Sequence, residues 1–187
     1  MECAMSIRLI LPNRLVTTLP RDERIIFLAG PIRGGGNWQT LAIEYINAYG
    51  GDHIVACPFR YPPEHELWKY ALAGENDKFE NQTLWERYYL ERASKSGTIM
   101  FWLGCEDREH PRDPKDGPYA RDTYGELGEW RMRMKYEHAR VVVGAEDGFP
   151  GLSVIEKNFR ALLRSQFEIY RTLHQTVSAA VMRAYQK

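Results

Sequence analysis

The sequence predicts a three-layer α/β sandwich built on a parallel sheet of about five strands. Three observations predict it. Four short segments bounded by turn-forming residues, "RIIFLAGP" at 24–31, "HIVACP" at 53–58, "GTIMFWLG" at 97–104 and "ARVVVGAE" at 139–146, are apolar in continuous runs instead of alternating, as strands covered on both faces are. Helical patterns lie between and after them. Two connections, 59–78 and 105–122, far exceed the few residues that join a strand to a helix.

"SIRLIL" at 6–11 is a candidate edge strand that precedes the first run. After that run, Trp38, Leu41, Ala42, Tyr45 and Ile46 recur at helical spacing and build one apolar stripe, which Gly50 and Gly51 end. A second helical pattern runs from Phe79 to Ala93 and a third from Gly125 to Tyr136. The last, from Val154 to Tyr185, reads as one helix or two, with no strand after it. Strand and helix therefore alternate with right-handed crossovers, as in flavodoxin-like and Rossmann-like sheets. Such sheets hold ligands at the carboxyl ends of their strands, where the two long loops fall.

The 187 residues suit a single domain, 1–187, with its core over 24–150 and C-terminal helices over 154–185. Lysine plus arginine and aspartate plus glutamate total 25 each, so no global field draws the chain to a nucleic-acid polymer or a membrane surface. "MECAMSIRLILPNRL" lacks the pattern of a signal peptide, and no apolar run is long enough to span a bilayer; a soluble, cytoplasmic protein is expected. Cys3, Cys57 and Cys105 are odd in number and lack metal-ligand spacing, so they read as buried or incidental thiols, with no disulfide framework and no metal site.

Three stretches carry residues suited to chemistry. In "LAGPIRGGGNW" at 28–38 a strand runs through glycines into a helix, where backbone amides and Arg33 would suit a phosphate or a sugar hydroxyl; a tight turn alone also requires glycine. The stretch matches neither a nucleoside triphosphate motif nor a dinucleotide one. In "NQTLWERYYLERA" at 81–93, helical spacing aligns Gln82, Glu86, Leu90 and Ala93 on one flank, while Trp85, Tyr88 and Tyr89 point mostly elsewhere. Glu86 is there either a surface residue or a carboxylate kept for use. In "YARDTYGELGEW" at 119–130, Thr123 and Glu126 have the spacing of a capping box, while a carboxylate at a helix start is also held as an anion, the state a nucleophile needs. The predicted fold would bring all three stretches above one sheet edge, and two carboxylates meeting there would match the pairing that breaks glycosidic bonds.

"IFLAGPIRGG" at 26–35, "WERYYLERASKSGTIMFWL" at 85–103 and "TYGELGEW" at 123–130, in that order, resemble the nucleoside 2-deoxyribosyltransferase superfamily. That superfamily includes nucleotide N-glycosidases such as the 2'-deoxynucleoside 5'-phosphate N-hydrolases and the CMP hydrolases. The resemblance covers residues 24 to 150. It implies that Glu126 is a nucleophile forming a covalent glycosyl-enzyme intermediate and that Glu86 contacts sugar or base and assists proton transfer. It implies a loop of Gly30, Ile32, Arg33, Gly34 and Gly35 at the 5' end of the substrate, Phe27 near base or sugar, and Asp122, Thr123 and Gly125 beside the nucleophile. It also implies a nucleoside or nucleotide as the small-molecule partner, no cofactor, and a homodimer or higher homo-oligomer in which 143–151 completes a neighbouring subunit's site. Ala120 departs from the aspartate or phosphate-binding serine of relatives. A TIR-like NAD glycohydrolase and a non-catalytic nucleotide-sensing domain stay open beside this expectation.

Overall fold

The structure is a computed structural model that describes residues 7–75, 79, 81–163 and 167–186. Its strands are β1 (Arg8–Ile10), β2 (Ile25–Ala29), β3 (Ile54–Ala56), β4 (Thr98–Leu103), β5 (Val141–Ala145) and β6 (Ile169–Tyr170). They form one parallel sheet in the order β1-β3-β2-β4-β5-β6. Its helices are α1 (Trp38–Ala48), α2 (Gln82–Ser96), α3 (Arg121–Tyr136), α4 (Leu152–Leu163) and α5 (Leu173–Tyr185).

The continuous apolarity of the strands has the predicted cause, since both sheet faces are covered. Ile25, Phe27 and Ala29 of β2 pack with Trp85, Tyr89 and Leu90 of α2 and with Leu127 and Trp130 of α3, and α4 joins this layer through Ile155 and Phe159. Ile26 and Leu28, on the opposite face, pack with Trp38, Ile43 and Ile46 of α1 and with Val177 and Ala180 of α5. This alternation along β2 gives three layers.

Four features differ from expectation. Leu41, placed in the buried stripe of α1, is 42% exposed, and Ile43 is buried instead. The second helix begins three residues later than Phe79, at Gln82, because Asn81 caps it: its Oδ1 accepts the Leu84 amide at 3.1 Å. The third begins four residues earlier than Gly125, at Arg121. The last pattern is two helices with β6 between them, a two-residue strand pairing with β5 and too short to leave a period in the sequence. The edge strand expected over 6–11 is β1, with Ser6 outside the described residues.

Helix α5 packs on β5 at Gly144, where an added Cβ would lie 1.8 Å from Thr176 Oγ1. Thr176 is fully buried, and its hydroxyl donates to the Thr172 carbonyl at 2.8 Å, so it has no room to yield. Gly144→Ala is expected to destabilise the chain by about 1–3 kcal/mol. A urea midpoint equal to that of the unmodified chain would contradict this close approach, and a paired Thr176→Ala should recover part of the loss.

Candidate functional site

The crossover from β2 runs to β3 on one side and that from β4 runs to β5 on the other, so the connections diverge and a crevice opens at the carboxyl end of β2. A cavity of about 560 Å³ occupies this crevice. Phe27 and Ala29 of β2 form part of its wall, with the glycine loop, the segment after β3, the start of α2, and the 105–122 loop with the start of α3. Phe27 is buried, and its ring packs 5.9 Å from that of Trp85.

Glu86 and Glu126 both face this cavity from different helices. Two ion pairs tie those helices together: Arg87 of α2 with Glu129 of α3 at 2.5 Å, and Arg133 of α3 with Glu91 of α2 at 2.6 Å. Burial, then the charge of Glu86, pushes the Glu126 carboxyl up to about 7, with Asp122 and Glu129 adding to the rise and Arg87 opposing it. Burial also raises Glu86, against a hydrogen bond from Gln82 that favours its ionised form.

The start of α3 corrects the expectation for Glu126. The helix is capped at Ala120, which is left-handed with φ 57° and offers no side-chain acceptor. Thr123 therefore lies inside the first turn and is buried, so Thr123 and Glu126 do not form a capping box. Glu126 falls in the second turn, beyond the orphan amides that would hold an anion, and burial raises its proton affinity instead of the helix start lowering it.

Gly30, Ile32, Arg33, Asp122 and Thr123 also line the cavity. Gly34, Gly35 and Gly125 do not. The first two are needed for packing within the protein: an added Cβ would lie 2.7 Å from the Arg112 amide at Gly34 and 2.3 Å from the Pro31 carbonyl at Gly35. Gly125 is exposed, with open space where a Cβ would stand. Gly30, at φ 146°, brings the loop so close to β4 that a Cβ would lie 2.3 Å from the Trp102 carbonyl oxygen. The Asp107 amide donates to the Gly34 carbonyl at 2.7 Å and joins the glycine loop to the long loop after β4.

Sequence reading singled out Arg33 among the cations, yet Arg60, Arg112 and Arg121 share the wall with it. Arg33 pairs with Asp116 at 2.9 Å, Arg121 with Asp122 at 3.4 Å, and Arg112 with Glu106 at 3.5 Å. Arg60 instead donates to the neutral carboxamide of Gln82 at 2.7 Å. No spacing rule links these arginines, because they come from three separate loops and a helix start. In the 143–151 segment, Glu146 accepts the Cys105 amide at 2.7 Å and Asp147 pairs with Arg171 at 3.6 Å.

Cys57 is buried and Cys105 half-buried, whereas Cys3 lies outside the described residues. Among the described residues, no group of three or more His, Cys, Asp or Glu could hold a metal ion, and no helix is long and apolar enough to cross a membrane. Fold and site define a parallel α/β protein with a cavity above its strand ends lined by arginines and carboxylates, Glu86 and Glu126 among them. No protein-family model matches the chain, and no curated protein matches it.

Proposed function

We propose that this protein cleaves the N-glycosidic bond of a nucleoside or its 5'-monophosphate, with retention, through a covalent glycosyl intermediate on Glu126. The sugar then passes to water or to another nucleobase, as in the nucleoside 2-deoxyribosyltransferase superfamily that the sequence resembles. The observation that carries this reading is that Glu86 and Glu126 face one cavity from two helices, with the charge of one raising the proton affinity of the other.

In the first step a Glu126 oxygen bonds to C1' as the C1'–N bond breaks, and the leaving base takes the electron pair and a proton from Glu86. In the second, water bonds to C1', the ester bond to Glu126 breaks, and the water proton goes to Glu86. Each cycle therefore starts from a pair holding one proton. That proton must sit on Glu86 as positive charge develops at C1', where an anion beneath the ring is most stabilising.

The same proton count favours an anionic substrate. Four arginines and four carboxylates line the cavity, so with one proton on the pair the wall carries four positive and three negative charges. Arg112 and the uncapped amides at the start of α3 are suited to a 5'-phosphate.

The test is base release from a nucleoside and from its 5'-monophosphate, each with and without an acceptor base. Higher kcat/KM is expected for the monophosphate, and an acceptor that leaves the rate of base release unchanged while diverting no sugar assigns hydrolysis. Absence of base release from both substrates sinks the proposal. Arg112→Met should reduce kcat/KM for the monophosphate by about 10- to 100-fold, with a smaller loss for the nucleoside; equal losses would remove Arg112 from the phosphate subsite.

A further inference from the structure

Gln82 opens α2 one helical turn before Glu86, and its carboxamide is committed on every side. Its Nε2 donates to the Pro58 carbonyl at 2.9 Å and to Glu86 Oε1 at 2.8 Å, while its Oε1 accepts from Arg60 Nε at 2.7 Å. Turning the amide over would set its oxygen against two acceptors and its NH2 against a guanidinium, so one orientation is held. Glu86 therefore meets a donor whose direction is fixed from outside the helix.

The charged groups acting on Glu86 are Arg87 from its own helix, Arg60 from the segment after β3, and Asp122 and Glu126 from α3; β2 offers only uncharged Phe27 and Ala29. Those acting on Glu126 are Glu86 and Arg87 from α2, and Asp122 and Glu129 from its own helix. A donated N–H stabilises an ionised carboxyl. Among these neighbours, Gln82 alone makes a hydrogen bond to either member of the pair among the described residues.

We propose that Gln82, locked by Arg60 and the Pro58 carbonyl, is the positioning residue of the carboxyl pair: it holds Glu86 by one oxygen as the acceptor and leaves the resting proton on Glu126. The proton placement stands on the hydrogen-bond chain, and its consequence for turnover rests on the glycosidase reading. Held this way, Glu86 keeps its second oxygen for the leaving base and receives the proton only when Glu126 becomes the better anion. Beside its direct charge on Glu86, Arg60 acts through Gln82, fixing the amide without bonding to either carboxyl.

Carboxyl-carbon NMR titration of the full chain tests this without requiring turnover. Gln82→Met keeps the length of the side chain and removes the donor, whereas Gln82→Glu keeps its shape and sets a like charge against Glu86. Glu86 is expected to titrate about one unit higher in Gln82→Met and higher still in Gln82→Glu. In turnover, kcat should fall more than KM changes, and the acid limb of the pH profile should move to higher pH, which loss of packing alone does not produce. Titrations that superimpose on those of the unmodified chain in the folded variants overturn the proposal. Shifted titrations in a chain that releases no base would leave the proton placement intact and remove the glycosidase reading, and the reverse pattern would do the opposite.

Discussion

Glu126→Gln is expected to lower base release by on the order of 10⁴-fold or more while making the folded chain more stable at pH 8. The two effects share one cause. A carboxyl that is raised from 4.5 to about 7 on folding binds its proton more tightly in the folded state than in the unfolded one. Its favourable contribution is fully present below about pH 4.5, falls as pH rises through the window up to about 7, and is gone above it. The shift corresponds to about 3 kcal/mol. Glutamine is neutral throughout, so the variant and the unmodified chain should unfold alike near pH 4 and diverge as pH rises, with the variant the more stable. Chemical denaturation at both ends of that range, beside a base-release assay, measures both effects. An active variant removes Glu126 as the nucleophile, and a variant destabilised at pH 8 contradicts the half-buried, charge-opposed carboxyl.

Glu86→Gln is expected to lower base release by about 10²- to 10⁴-fold and to change the form of the pH dependence. With both carboxyls present, kcat/KM should rise as the pair gives up its first proton and fall as it loses the second near pH 7, the value to which Glu126 is raised. Without Glu86 the strongest like charge on Glu126 is gone, leaving burial, Asp122 and Glu129 to hold it up, and there is no proton to deliver to the leaving base. Glu126 should then titrate lower, and the residual rate should climb to a plateau with no descending limb near 7. A bell that persists unchanged would assign the second proton to a group other than this pair. A rate close to that of the unmodified chain would remove Glu86 from proton transfer.

These expectations depend on features of very different legibility. The apolar runs of β2, β4 and β5 were evident because strands buried on both faces tolerate no polar interruption. Glu86 and Glu126 stood out because each lies in a helical pattern next to such a strand. The start of α3 is not legible in the sequence: "TYGE" satisfies the spacing of a capping box, but the chain turns at Ala120, whose side chain gives no capping signal and whose left-handed backbone no residue rule anticipates. β6 leaves no signal in the sequence because a two-residue strand gains its stability from β5 and not from its own pattern.

By itself, then, the sequence determined the alternation of strand and helix, the sheet edge at which the long loops gather, and the two acidic residues carried there. Those depend on local periodicity and on the order of elements, which the chain states directly. The tertiary structure alone decided which polar and charged groups meet: Arg60 on Gln82, Arg33 on Asp116, and Glu86 against Glu126. It also decided that Glu126 holds its proton more tightly than a carboxylate at a helix start would. Proton affinity follows burial and the distance between charges far apart in sequence, and neither exists until the helices pack.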